Sequence, residues 1–279
     1  MDFYSPRQFA LRQQFYREIK QAEPQIDLAK GALYIACEEY ADLDPDEYLN
    51  ALDIMAEEVK KRLQDTSYPL KTIQILNRYL YEDLQFQGDR QNYYDPRNSF
   101  LNKVLDRRMG IPITLSLVYL EIAKRIDFPM VGIGMPGHFL IRPDFTDAGI
   151  FVDAFNNGEI LFKQDCEALL EQIYNQPVKI EPRFLEPITK KQFLARMLTN
   201  LKLIYLNRQK LKQAVAIVER ILLLFPDNLS EIRDRGLLYY QLELWSQAKS
   251  DLQFYVNNAT PSTDTRQIRE ILDRLDSIN

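Results

Sequence analysis

The sequence holds one histidine, His138, set in Pro136-Gly137-His138-Phe139. An imidazole titrates near neutral pH, so it can serve as a general base or touch a ligand in a cleft. It can equally be a structural side chain, hydrogen-bonded and packed beneath a helix. Two hydroxyls, Thr114 and Ser116, fall in the first turns of the apolar segment that opens at Gly110-Ile111-Pro112. A helix N-terminus favours negative charge developing beside it. A hydroxyl is far harder to deprotonate than a thiol, however, and needs a closely aligned histidine. Packing inside the helix turn is the plainer role for both. The most distinctive polar group is Tyr93, Tyr94, Asp95, Arg97 and Asn98. These residues either line a ligand-binding cleft beside His138 or clasp their own loop, with Asp95 capping and Arg97 paired. Arg107-Arg108 offers an anion site or plain surface charge.

Cys37 and Cys166, the two cysteines, form neither a metal-ligand spacing nor a disulfide framework. Cys37 ends the apolar run Ala32-Leu33-Tyr34-Ile35-Ala36-Cys37 and is expected to be a buried helical thiol. Cys166 precedes an apolar helix, Glu167 to Tyr174, and is expected to be structural. No metal site and no cofactor is expected.

The elements that must position these groups follow from periodicity. Residues 5–89 form helices: one opening at Ser5-Pro6, with Ser5 as cap, one over 26–40, one from Pro45 to about Leu63, and one over 69–84. After the loop at 92–99, Phe100 to Arg108 is helical and Gly110 stops it. Pro112 then opens an apolar helix, Ile113 to Ile126, at a position where its missing N–H costs nothing. Strand candidates follow at 130–135, 139–142 and 149–155. Asn156-Asn157-Gly158-Glu159 is a hairpin signal leading into Ile160-Leu161-Phe162. A helix followed by an antiparallel meander is an α+β signature.

Prolines 177, 182 and 187 mark a linker or domain edge. Beyond it the chain is helical and repeats. Leu203 and Leu237, Leu211 and Trp245, and Ala214 and Ala248 are each 34 apart. That is the period of tetratricopeptide helix hairpins. About two units fit, with 262–277 as a closing helix. So short an array needs support from its neighbour. The expected division is 1–89 and 90–185 for the two parts of a core, and 186–279 for the repeat region.

Composition agrees with a folded protein: 279 residues, 46% hydrophobic and 27% charged, which excludes disordered and collagen-like chains. Nine glycines are too few for a turn-dense all-β fold. The net charge of −5 argues against nucleic acid as a partner. Residues 1–89 hold 10 basic and 17 acidic residues, and residues 186–279 hold 14 and 11. The two ends therefore offer surfaces of opposite sign. No run reaches the length needed to span a membrane, and Met1-Asp2-Phe3-Tyr4 does not resemble a signal peptide. A cytoplasmic protein is expected.

The motifs Tyr93-Tyr94-Asp95-Pro96-Arg97-Asn98-Ser99, Gly110-Ile111-Pro112-Ile113-Thr114-Leu115-Ser116 and Pro136-Gly137-His138-Phe139 closely resemble the SirB-type family. Arg196-Met197-Leu198, Asn200-Leu201-Lys202 and Arg233-Asp234-Arg235-Gly236 resemble its second half. The resemblance covers nearly the whole chain. It implies an α+β transglutaminase-like (papain-like) core with a helical N-terminal segment, followed by an all-α tetratricopeptide-like region.

In transglutaminase-type enzymes a Cys opens a central helix, a His on a strand deprotonates it, and an Asp on the next strand fixes the tautomer. By that resemblance His138 matches the His and Asp153 the Asp. The Cys position falls on Pro112 or its immediate neighbours, where this sequence has no Cys. The expectation is therefore a non-catalytic interaction or regulatory protein, a pseudoenzyme that binds a protein partner and retains a vestigial His138–Asp153 pair. The alternative is a hydrolase or acyltransferase that uses this pair with Ser116 or Thr114 as nucleophile.

Overall fold

The computed structural model describes residues 6–63, 68–145 and 149–278; the expected cap Ser5 lies outside them. The protein divides into two compact units, residues 1–194 and 195–279. The division falls inside a helix rather than in the proline-rich segment before it.

The first unit opens with α1 (Pro6–Ile19), α2 (Leu28–Ala36), α3 (Pro45–Arg62) and α4 (Pro69–Asn77). Two of these starts are written locally. Asp27 accepts the Lys30 N–H at 3.0 Å, and Asp44 accepts the Asp46 N–H at 3.0 Å, ahead of Pro45. The fourth helix does not stay α-helical to residue 84 as its spacing suggests. It widens into a π-helical turn, Arg78–Asp83, a departure that often accompanies functional sites. Helix α5 (Leu101–Arg107) ends at Arg108, which takes a left-handed φ of 55°. Gly110, expected to stop that helix, lies instead in a two-residue parallel pairing of β1 (Gln87–Gly88) with β2 (Met109–Gly110). A glycine is needed there for space, since a Cβ would come 2.8 Å from Thr114 Oγ1.

Helix α6 (Pro112–Arg125) is the centre of this unit. Every residue from Pro112 to Ala123 is buried, so its apolar run serves packing on all sides. An antiparallel meander follows: β3 (Met130–Ile133), β4 (Leu140–Pro143), β5 (Phe151–Asp153) and β6 (Glu159–Leu161), adjacent in that order. Ile133 pairs with Leu140, Ile141 with Val152, and Val152 with Ile160. Asn157 and Gly158 take φ of 55° and 73° in the turn between β5 and β6, as an Asn-Gly hairpin requires. Helix α7 (Lys163–Tyr174) starts where Asp165 accepts the Phe162 N–H at 2.7 Å. Its Cys166 and Leu170 join Ile133, Met135, Leu140, Phe151 and Leu161 in a buried apolar cluster.

The remaining helices are α8 (Lys190–Asn207), α9 (Leu211–Leu224), α10 (Leu229–Gln241), α11 (Trp245–Asn258) and α12 (Thr263–Ile278). Among the described residues from 190 onward there is no strand. The start of α8 belongs to the first unit, where Phe193 meets Phe139 edge-on at 5.0 Å. Both rings lie over Gly132, where a Cβ would come 2.8 Å from Phe139 and 3.2 Å from Phe193.

In the second unit, α11 and α12 share a core of Ala248, Leu252, Tyr255, Ile268, Leu272 and Leu275. Gly236 admits the neighbouring helix, since a Cβ would come 2.8 Å from Leu252. Buried Lys202 bonds Glu231 at 2.7 and 2.8 Å and Asp234 at 2.7 Å, and Arg235 holds Asp251 through two bonds of 2.7 and 2.8 Å. No helix among the described residues is long and apolar enough to cross a membrane.

Candidate functional site

Asp153 is the last residue of β5 and is fully buried. A buried carboxylate is tolerable only when its lone pairs are used. Here Oδ1 accepts the N–H groups of Phe155 at 3.0 Å and Asn156 at 3.2 Å. Oδ2 accepts the Asn156 side-chain amide at 2.8 Å and lies 2.8 Å from His138 Nε2. The first two bonds exist because the chain turns into a helical half-turn just after β5, pointing successive amides back at the side chain. Facing a carboxylate, Nε2 must carry the proton. The other ring nitrogen, Nδ1, is then the one able to act as base. His138 sits one residue beyond Gly137, whose φ of 72° turns the chain between β3 and β4. A Cβ on Gly137 would come 2.7 Å from Ile173, so the end of α7 closes over this turn.

Two distant side chains bond the Asp153 hairpin, and a third braces one of them. Asn77, at the end of α4, donates to the Gly158 carbonyl at 2.7 Å and accepts the Tyr119 hydroxyl at 3.1 Å. Tyr81, in the π-helical turn, donates to the Ala154 carbonyl at 3.1 Å. Burial, then the Asp153 charge, pushes the Tyr81 phenol well above its ordinary range. It remains a hydrogen-bond donor at any physiological pH.

The polar loop is split by the structure. The Tyr93 ring meets Phe155 edge-on at 6.1 Å, and Phe155 meets His138 at 6.3 Å. Arg90 stacks over Phe155 at 5.1 Å and bonds Asn156. Tyr94 is exposed beside Tyr93. Asp95 instead accepts the Arg97 N–H at 3.0 Å and the Arg97 side chain at 2.8 Å. Asn98 is fully buried. It donates to Asp89 at 3.1 Å and to the Asn92 carbonyl at 2.9 Å, and accepts Arg107 at 2.9 Å. Tyr93 is thus tied through Phe155 to His138, whereas Asp95, Arg97 and Asn98 make the loop's own clasp. Arg107 serves that clasp, and Arg108 donates to the Leu84 carbonyl at 3.0 Å.

At the head of α6, the Thr114 hydroxyl donates to the Asn98 carbonyl at 2.7 Å and accepts the Ile111 N–H at 3.1 Å. Its one proton is committed to the loop. Ser116 is fully buried, and its Oγ has no hydrogen-bond partner among the described residues. It lies three residues before Tyr119, on the helix face that reaches Asn77. Cys37 and Cys166 are both buried, and neither is in a disulfide among the described residues. Burial, then the charges of Asp165 and Asp153, pushes the Cys166 thiol up to about 12, far from the thiolate that nucleophilic chemistry needs.

Sequence reasoning left out Asn156, Phe155, Asn77 and Tyr81. Asn156 carries a local signal, an Asn three residues after Asp153 in a turn, which the hairpin pattern absorbs. Asn77 and Tyr81 had none, because they reach the site from a different helix.

Comparison with known proteins bears on the same residues. The transglutaminase-like superfamily matches residues 46–199, and the tetratricopeptide repeat matches 201–273. A UPF0162 protein of Xylella fastidiosa (strain 9a5c) is 37% identical over 85% of this chain and 85% of its own length. A UPF0162 protein of Vibrio cholerae serotype O1 is 33% identical over 65% of this chain and 67% of its own. Human F-box only protein 21 is 30% identical over 63% of this chain, but only 29% of that longer protein is covered. No solved structure matches significantly. With its α+β core built on α6 and its helical repeats after it, the chain belongs to the transglutaminase-like superfamily and, within it, to the UPF0162 proteins.

Proposed function

We propose that this is a cytoplasmic, non-catalytic interaction or regulatory protein of the SirB type, which uses a transglutaminase-like core without a nucleophilic thiol and a repeat region that binds a protein partner. One observation carries the reading. The His138–Asp153 pair is complete, yet Pro112 opens the central helix, and Cys166 is buried with its thiol held at about 12. A histidine oriented by a saturated carboxylate, with no thiol at the head of the central helix to deprotonate, serves binding and rigidity rather than turnover. The rings beside it, Phe155, Tyr93 and exposed Tyr94, are the proposed ligand-contacting surface, with Asp95, Arg97 and Asn98 holding their loop. Helix-hairpin repeats commonly take peptides or helices, which supports a protein partner for residues 195–279.

A second reading stays in place because of Ser116. Its buried hydroxyl, without a hydrogen-bond partner among the described residues, lies in the first turns of α6, where a rearrangement could hand it to His138, giving a hydrolase or acyltransferase. The Thr114 hydroxyl is already spent on the loop.

The two are separated by labelling the full-length protein with serine- and cysteine-directed electrophiles and mapping adducts by mass spectrometry. The proposal expects no stoichiometric adduct at Ser116, Thr114, Cys37 or Cys166 in the folded protein. A single adduct at Ser116 that disappears in His138→Ala would overturn it in favour of the hydrolase.

A further inference from the structure

A cavity of about 560 Å3 lies between α6, the outer edge of β3 and the head of α8. None of the residues placed around His138 lines it. Its size is that of a small-molecule site. It exists because of how the chain leaves the sheet. Pro187 bridges to Ile133, and the Ile188 N–H donates to the Gly132 carbonyl at 2.9 Å, as if a further strand were starting. Helix α8 begins at Lys190 and carries the chain away, so the edge beyond Gly132 is left uncovered. Main-chain groups alternate sides along a strand. The N–H of Gly132 therefore faces the same outer edge as its carbonyl.

The walls are apolar: Leu28, Leu120, Met130, Val131, Ile188 and Phe193. Two charged groups of opposite sign are set among them. Glu121 is only 2% exposed. Its Oε2 is bonded by Arg125 and lies 3.8 Å from the Lys124 ammonium, whereas its Oε1 takes no hydrogen bond from any described residue. Lys190 donates its ammonium to the carbonyls of Pro24 at 2.8 Å and Ile26 at 2.6 Å. An ammonium has three donors, so one remains unspent. No carboxylate of the described residues pairs with it. Burial, then the neighbouring Lys124 charge, pulls the Lys190 amine below its ordinary range, which a bound anion would reverse. Asp127 and Asp144 complete the rim. An apolar enclosure that leaves one carboxylate oxygen and one ammonium proton unused calls for a ligand carrying the opposite pair.

We propose that this cavity binds a zwitterion on an apolar body, either a free apolar α-amino acid or a short peptide with both termini free. The ligand's ammonium bonds Glu121 Oε1. Its carboxylate bonds Lys190 Nζ, with Lys124 and the Gly132 N–H beside it, and its side chain packs on Leu28, Leu120 and Phe193. Binding here is independent of the role proposed for His138.

The test is calorimetric titration of the full-length protein with L-leucine, L-phenylalanine, the dipeptide Leu-Leu and the doubly blocked N-acetyl-leucinamide. Saturable binding of at least one free zwitterion is expected, at least about tenfold tighter than the blocked compound. Preference for a single residue identifies an amino-acid site, and preference for Leu-Leu identifies a peptide site. Glu121→Gln and Lys190→Gln should each weaken binding about tenfold or more. Since Glu121→Gln also loosens Arg125, Leu28→Trp serves as a second variant. It fills the cavity without touching a charge, and should abolish binding while circular dichroism and melting temperature stay unchanged. No saturable binding by any free zwitterion, equal binding of the blocked compound, or undiminished binding by Leu28→Trp would each overturn the proposal.

Discussion

Asn77 and Gly158 stand 81 positions apart and are joined by one hydrogen bond, from the Asn77 amide to the Gly158 carbonyl at 2.7 Å. The same side chain accepts the Tyr119 hydroxyl from the central helix. One asparagine thus ties α4, α6 and the turn whose Gly158 N–H bonds back to the Asp153 carbonyl at 2.9 Å. The orientation of Asp153, and through it of His138, depends on a helix that contributes no group to the pair itself.

Asn77→Ala should therefore cost about 1–3 kcal/mol, because it strands the buried Gly158 carbonyl and leaves the buried Tyr119 phenol only its 3.4 Å contact with the Ile73 carbonyl. Tyr119→Phe removes only one partner and should cost less, about 1 kcal/mol. Urea unfolding of the two variants checks the order. Equal, negligible losses would show that the hairpin holds itself.

Because His138 is the only histidine, the long-range 1H–15N spectrum of the protein contains a single imidazole. In its neutral form the ring should report the tautomer protonated at Nε2. In Asp153→Asn, where the acceptor is replaced by an amide, the signal should move toward a tautomer mixture. A wild-type ring protonated at Nδ1 alone would contradict the 2.8 Å contact.

Asp95 gives a pH dependence with a defined sign. Burial pushes its carboxyl up, but hydrogen bonds from the Arg97 side chain and N–H, with the Arg97 and Arg107 charges, outweigh it, so the carboxyl lies below its ordinary value. A depressed folded-state pKa stabilises above the unfolded value of about 3.9 and ceases to do so as pH falls through the folded value. Asp95→Asn should accordingly flatten part of the acid limb of stability below about pH 4, seen in urea midpoints from pH 6 to pH 3. An unchanged slope would remove Asp95 from the account.

Lys202 and Glu231 form a buried ion pair in the second unit. Lys202→Met removes the cation that two carboxylates share and should destabilise by about 3–5 kcal/mol, whereas Glu231→Gln leaves Lys202 its 2.7 Å bond to Asp234 and should cost less. The double variant should recover part of that loss, and thermal unfolding of the three proteins measures the coupling.

Gly88 has no room for a side chain, because a Cβ would come 2.5 Å from the Phe155 ring. Gly88→Ala should cost about 1–3 kcal/mol and, by displacing Phe155, shift the His138 resonance. A shift without destabilisation would mean the ring simply rotates away.

Much of this architecture is legible without coordinates, since its signals are local. Pro45 and Pro112 sit in first helical turns, Asn157-Gly158 closes a hairpin, and a 34-residue spacing recurs after the prolines. Each depends on φ preferences or side-chain periodicity within a few residues. The transglutaminase-like and repeat regions follow from those patterns together with the motif resemblance. What local pattern cannot decide is which of several equivalent polar groups ends up next to which. Tyr93 and Asn98 stand five residues apart in one loop, yet Tyr93 reaches the ring beside His138 while Asn98 turns inward to Asp89 and Arg107. Thr114 and Ser116 are hydroxyls on one helix, yet the first is saturated and the second is not. Asn77, Tyr81 and the charged cavity at Glu121 and Lys190 are assembled from segments far apart in the chain. Their chemistry comes from long-range packing around α6, because burial removes water and makes each hydrogen-bond partner decisive.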